Sequence, residues 1–252
     1  MPNTLLLNNT GAYHLGCAKV IETFEFDDSI PTNTPFVADY DYSKYSNIIL
    51  NGEGTMHHDR PNAVKFLDAL RKFQQAGCET HIANSVWDGM SNKWDDVLIN
   101  CKSIVVRDVL SQRQLLDNHN VSSTISPDRS IIPDVPYEKY NYTQVYQGQW
   151  FHTDTQDTGF PKLNVFKQPW NEIVNRLRHC DLLVTGRHHE AYAAIKAKCN
   201  FIVLTGNTHK NEGIYLNAGV EPINKLNYIE DALNGKYDSQ FKKLHDYYQV
   251  IG

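Results

Sequence analysis

The sequence predicts an α/β protein of two Rossmann-like halves with mostly parallel sheets, the second half reduced. Three observations carry this expectation. Short apolar runs alternate with segments of helical periodicity, the alternation stops near residue 126, and it resumes near residue 170. Such alternation implies parallel strands joined by right-handed crossovers.

The elements follow in chain order. "TLLLNN" (4–9) reads as a strand, "HLGCAKVIETF" (14–24) as a helix and "NIILNG" (47–52) as a second strand. "RPNAVKFLDALRKFQQAG" (60–77) predicts a helix. Pro61 stands near its first turn, Gly77 just past its end, and Val64, Leu67, Leu70 and Phe73 fall at helical spacing. "ETHIAN" (79–84) and "SIVVRD" (103–108) read as strands, with helices near 92–101 and 109–118. "SPDRSIIPDVPYEKYNY" and "HTDTQDTGFPK" are rich in Pro, Asp, Thr and Tyr, which places a junction or long active-site loop near 129–145. The expected domains are therefore 1–136 and 137–252. In the second, "PWNEIVNRLRHC" and "HEAYAAIKAK" (189–198) read as helices, and "DLLVTG" (181–186) and "NFIVLT" (200–205) as strands. Two further helices are expected to close the chain.

Composition bounds the function. The 252 residues are 41% hydrophobic and 21% charged, as in ordinary globular chains. A net charge of −5 supplies no global field toward nucleic acid or anionic lipid. No apolar run approaches the roughly 20 residues of a membrane helix, and "MPNTLLLNNTG" lacks the basic start of a signal peptide. The five cysteines are odd in number, widely spaced and without C-x-x-C, so reduced thiols and a cytoplasmic location are expected.

Ligands of open parallel sheets bind beyond the carboxyl ends of the strands. Polar residues recur there: Glu53, His57 and His58 after one strand, Asn84 after another, and Arg107 and Asp108 after a third. Thr185, Gly186, Arg187, His188 and His189 follow a strand of the second half, and His209 and Lys210 follow the last. In "NGEGTMHHDRP", Asn51-Gly52 alone would make an ordinary turn; Glu53 between two glycines asks for more. In "TGRHHEAYAAI", Gly186 permits a tight turn and the helix that follows aims free N–H groups at an anion. Arg187 offers a planar fork for phosphate or carboxylate. His189 suits a general acid or a neutraliser of a leaving phosphate. Adjacent histidines on a helix point about 100° apart, so one at most is expected to face the ligand. The same geometry argues against a metal at "HHD" (57–59), and no H-x-x-x-H or facial triad is present, so neither metal nor cofactor is expected. Pro-Asp pairs at Asp128 ("SPDRS") and Asp134 ("IPDVP") commonly make turns. A rigid turn at the mouth of a cleft also fixes a carboxylate. Glu53 and Asp128, on separate elements facing one substrate, would suit glycosyl chemistry.

"NNTGAYHLGCAKV", "NGEGTMHHDRP", "VVRDVLSQRQL", "SPDRS" and "VTGRHHEAYAAIKAKCNFIVL" stand in the order seen in the polysaccharide pyruvyl transferase superfamily, which the chain resembles over about residues 4–210. The more specific parts are R-x-H (Arg187, His189) and R-D-x-x-S (Arg107, Asp108, Ser111). The resemblance implies a GT-B-like, two-domain transferase with Arg187 and His189 at the donor. Glu53 departs from the glycine-rich turn usual there. G-E-G-T-x-H-H followed by P-D-x-S looks closer to the branch of retaining Kdo-type glycosyltransferases, which makes Glu53 the acid/base and Asp128 the nucleophile or cation stabiliser.

The expected activity is thus metal-independent transfer of a sugar from a nucleotide-activated donor to a glycan or other hydroxyl. Glu53, Asp128 and His189 are the expected catalytic residues. Asn8, His14, Arg107, Ser111, Thr185, Gly186, Arg187, His188 and Lys210 are expected at the donor, and His57, His58 and Asn84 at the acceptor or in support. The alternatives are a pyruvyl transferase using phosphoenolpyruvate, a phage enzyme glycosylating hydroxymethylated bases in DNA, and a non-catalytic sugar- or nucleotide-binding module. For the DNA enzyme, Lys242, Lys243, Arg176 and Arg178 are the expected phosphate contacts.

Overall fold

A computed structural model describes residues 3–35, 41–149, 158–164 and 166–251. Residues 152–157 of the Thr- and Asp-rich "HTDTQDTGFPK" lie outside the described residues. The chain forms two compact units, one of Met1–Thr10 with Phe24–Ser126 and one of Gly11–Thr23 with Pro127–Gly252. Each is built on its own parallel sheet.

The first unit holds β1 (Thr4–Asn9), β2 (Asp28–Pro31), β3 (Asn47–Glu53), β4 (Glu79–Ser85), β5 (Ser103–Val106) and β6 (Thr124–Ile125). Their spatial order is β2-β1-β3-β4-β5-β6, and every pairing is parallel. Central strands of such sheets are covered on both faces, so they read as continuous apolar runs. Leu5, Leu6 and Leu7 of β1 and Ile48 and Leu50 of β3 are accordingly buried. The sequence expectation omits β2 and β6, because "DSIP" and "TI" are too short to show a run.

Helix α2 (Pro61–Gln75) starts on Pro61 and buries Ala63, Phe66, Leu67, Leu70 and Phe73 against this sheet's core. Val64 lies at the edge of that stripe. Gly77 follows the helix with φ +87°, a left-handed conformation that suits glycine. The helix expected at 92–101 is split into a 3-10 turn, Asn92–Trp94, and the short α3 (Asp95–Ile99). Helix α4 (Val109–His119) is capped by Asp108, whose carboxylate accepts from Ser111 N at 2.8 Å.

The second unit holds β7 (Thr143–Gln147), β8 (Cys180–Thr185) and β9 (Asn200–Val203), paired in parallel in that order. Its helices are α1 (Leu15–Ile21), α5 (Trp170–Leu177), α6 (His188–Ala197), α7 (Lys210–Asn217), α8 (Ile229–Leu233) and α9 (Asp238–Ile251). Three helices, not two, follow β9. Strand β7 falls at the end of the stretch expected to be loop, since only Val145 and Tyr146 of "TQVYQ" are apolar. Helix α6 is buried along nearly its whole length, and Ala191, Ala193, Ala194 and Ala197 keep it slim enough to pack on several sides. Around it lie Trp170, Ile173 and Leu177 of α5, Leu182 to Val184 of β8, and Phe201 of β9.

Among the described residues no helix is long and apolar enough to cross a membrane. No cysteine is in a disulfide.

Candidate functional site

In the first unit the strand order reverses between β1 and β3, the position at which open α/β sheets bind ligands. Three non-glycine residues at the carboxyl ends of neighbouring strands hold left-handed backbone: Asn8 (φ 61°), Glu53 (φ 39°) and Asn84 (φ 52°). Such conformations cost about 1 kcal/mol or more and collect at functional sites. Asparagine tolerates them better than glutamate.

An amide network holds these ends. Asn8 Nδ2 donates to Asn51 O (2.6 Å) and to Thr55 Oγ1 (3.1 Å), and Asn8 Oδ1 accepts from Thr32 Oγ1 (2.8 Å). Asn84 Nδ2 donates to Asn51 Oδ1 (3.3 Å). Asn8, Asn51, Asn84 and Glu53 are all buried. Glycine at 52 is a matter of space: a Cβ there would stand 2.2 Å from Ser85 Oγ and 2.9 Å from Ser85 Cα. That close approach of β3 to β4 lets Glu53 O accept from Val86 N at 2.7 Å.

The other first-unit residues named from the sequence divide. Arg107 is buried. Ser111 Oγ donates to Asp108 Oδ2 (3.0 Å) and accepts from Trp87 N (2.9 Å), which gives it a structural position at the start of α4. His57 and His58 bring their Nδ1 atoms to 3.2 Å, so adjacent histidines do converge here. Next to them Asp59 accepts from Trp94 Nε1 (2.8 Å) and faces Lys93 Nζ (3.2 Å). Desolvation pushes the Asp59 carboxyl up, but hydrogen bonds from Ser91, Trp94 and Lys93 outweigh it and hold it at about 2.

In the second unit the cluster centres on Asp128. The Pro-Asp turn is present: Asp128 Oδ1 accepts from Ser130 N at 2.9 Å and starts the 3-10 turn Arg129–Ile131. The same carboxylate is 0% exposed and lies 3.7 Å from His188 Nε2 and 3.8 Å from His189 Nε2. Both histidines thus approach one oxygen, Asp128 Oδ2, although adjacent on the helix, and the ring planes stand at 88°. Arg129 is tied to Thr23 through Nε (2.7 Å). Burial pulls its guanidinium below its ordinary value, against the pull of Asp128.

Around Asp128 the corner between β8 and α6 is closely determined. Arg187 caps α6; its N–H donates to Thr185 Oγ1 (2.9 Å), and Thr185 Oγ1 donates to Glu190 Oε2 (2.5 Å). Glu190 also accepts from Gln149 N (2.9 Å). Asn211, on α7, donates to Gly186 O (3.1 Å). Lys210 at the start of α7 donates to Asn207 (3.0 Å). The Arg187 guanidinium lies 5.1 Å from the Phe166 ring, which also meets His14 edge-on at 5.3 Å. His14 caps α1 through Nδ1 and stands 4.7 Å, ring to ring, from His189. Asp134 is apart, at the surface, 3.8 Å from Lys196.

The structure thus brings together His14, Asp128, Thr185, Gly186, Arg187, His188 and His189 in one unit, and Asn8, Glu53 and Asn84 in the other. Glu190, Phe166 and Cys17 escape the sequence reading. For Cys17 a signal exists, since an N-cap side chain reaches the residue three positions on, and His14-x-x-Cys17 has that spacing.

No family model matches the chain, and no curated protein matches it. Solved structures do. An uncharacterised protein of Klebsiella pneumoniae aligns with a TM-score of 0.57 at 14% identity, over 85% of this chain and 88% of its own. The UDP-GlcNAc 2-epimerase of Neisseria meningitidis, solved with UDP-GlcNAc bound, aligns at 0.55 and 8% identity, over 96% and 93%. The apo UGT2 of Phytolacca americana aligns at 0.51 and 9% identity, over 98% and 94%. The fold is GT-B-like. At these identities the likeness is one of fold, and the resemblance to pyruvyl transferases rests on the motifs alone.

Proposed function

We propose that the protein transfers a sugar from a nucleotide-activated donor to a hydroxyl acceptor. The observation that carries this reading is the β8–α6 corner of the second unit. There Arg187, the positive end of the α6 dipole and two histidines within 4 Å of the Asp128 carboxylate stand together. Such a cluster suits the phosphates of a nucleotide sugar and the charge that develops as they leave. Neighbours that share the fold act on UDP-sugars, which supports the donor class.

In this reading Arg187 and the start of α6 hold the phosphates. His188 and His189, each within 4 Å of the buried Asp128 carboxylate, stand where they can donate to the leaving phosphates. The burial of Asp128 suits such support better than nucleophilic attack. Glu53 takes the acid/base role, tested by itself.

A panel of UDP- and CMP-sugars in thermal shift tests the reading, because a ligand raises the melting temperature by mass action. At least one nucleotide sugar is expected to stabilise the protein, and Arg187→Ala to lose that shift. Asp128→Asn and Glu53→Gln are each expected to lower turnover about 100-fold. If no nucleotide sugar is bound or consumed, the reading fails.

The Arg187-x-His189 spacing favours a second reading, pyruvyl transfer. Phosphoenolpyruvate in the same panel decides it: stabilisation that vanishes in Arg187→Ala would replace the sugar donor. A DNA acceptor draws no support from the cations named for it. Arg176 pairs with Glu172, Arg178 donates to Asn175, Lys242 pairs with Asp246, and Lys243 donates to Gly219 O.

A further inference from the structure

We propose that His14, Cys17 and His189 form a binding site for a thiophilic divalent cation, Zn2+ in the first place. One ligand atom from each of the three lies within 4.8 Å of the others. His14 Nε2 and Cys17 Sγ are 3.4 Å apart. A tetrahedral zinc with bonds of about 2.0–2.3 Å separates its ligand atoms by roughly 3.3–3.7 Å, so small side-chain rotations close the site.

The backbone enforces the convergence. His14 is the extended N-cap of α1, and its ring reaches back over the first turn to Cys17 N (3.3 Å) and Cys17 Sγ (3.4 Å). Gly16 between them lies against His189: a Cβ at Gly16 would stand 2.7 Å from His189 Cβ and Cγ. Only glycine lets α1 bring its pair that close to α6. Cys17 is 2% exposed, while His14 is partly open, which leaves a path for the ion.

Ligand chemistry selects the ion. One thiolate and two imidazoles suit Zn2+ and disfavour Mg2+ and Ca2+, which take oxygen ligands. The Asp128 carboxylate, 3.8 Å from His189 Nε2, adds negative charge beside the trio. On binding, the Cys17 Sγ–H bond breaks, its proton passes to solvent and the sulfur electron pair forms the metal bond. Three protein ligands leave a fourth position for water or an anionic oxygen. The proposed site departs from the sequence-based expectation of no metal. It goes beyond the sugar-transfer reading, for a bound cation would supply the positive charge that reading asks of His189.

The test uses the full chain, freed of metal by a chelator and titrated with Co2+ and Zn2+. One Co2+ per chain is expected, with tetrahedral d–d bands and a thiolate-to-cobalt charge-transfer band in the near ultraviolet. Cys17→Ala should abolish that band and weaken Zn2+ binding at least about 100-fold. His14→Gln, at a partly exposed position, should weaken it as well, with the circular dichroism spectrum unchanged. His57→Ala should change neither. Absence of the charge-transfer band in the unsubstituted chain overturns the proposal, as does Zn2+ affinity that survives both Cys17→Ala and His14→Gln. Neither result bears on nucleotide-sugar binding, which the thermal-shift panel reads separately.

Discussion

The rim of the first sheet and the start of α6 present polar side chains in opposite ways. At the rim the backbone does the work. Asn8, Glu53 and Asn84 each sit at the end of a strand in left-handed conformation, and the two asparagine amides lock to the neighbouring strand. At α6 the backbone is regular, and the cluster is assembled by packing. Asp128 arrives from the turn after Pro127, His14 and Cys17 from α1, and His189 from α6 itself. Strained rims are written into a few adjacent residues. Packed clusters depend on segments far apart in the chain.

Substitution at Gly52 and Gly16 should break this contrast most directly. Gly52→Ala forces a methyl into Ser85, including its Cα, where nothing can rotate away. A loss of about 3 kcal/mol is expected, read by urea denaturation. Gly16→Ala meets the root of the His189 side chain and should cost about half as much, because α1 can shift. Equal costs would show that α1 is held as rigidly as a strand.

Acid sharpens the comparison by separating the units. His245 of α9 is desolvated and lies near Lys198, which together bring its pKa down to about 4 from 6.5. The neutral ring is favoured in the fold, so this contribution is complete above about 6.5 and is lost as pH falls toward 4. It amounts to about 3 kcal/mol. His245→Phe should flatten the stability profile in that window.

Asp59 of the first unit gives the smallest effect. Its pKa is about 2 against 3.8, so its contribution persists above 3.8 and fades only as pH falls toward 2. After solvent screening about 1 kcal/mol remains. Asp59→Asn should remove it. Hydrogen exchange during acidification is therefore expected to loosen the second unit first; simultaneous loosening would count against both assignments.

Much of the fold is legible because its signals are local. The apolar runs of β1, β3, β4, β8 and β9 announce buried parallel strands, and Pro61 and Gly77 bracket α2. Edge strands β2 and β6 are too short for a run, and β7 is half polar. Of the site, Glu53, Arg187 and the paired histidines stand out by position after strands. Asp128 looks like a turn and is one; only tertiary packing adds the two imidazoles. Cys17 looks like one more core thiol until α1 is laid beside α6.

Residues 11–23 belong to the unit whose remaining residues begin at Pro127. Helix α1 is therefore made before the rest of its unit and must wait while residues 24–126 of the other unit are synthesised. A deletion within residues 11–23 would injure a unit whose other residues start only at Pro127.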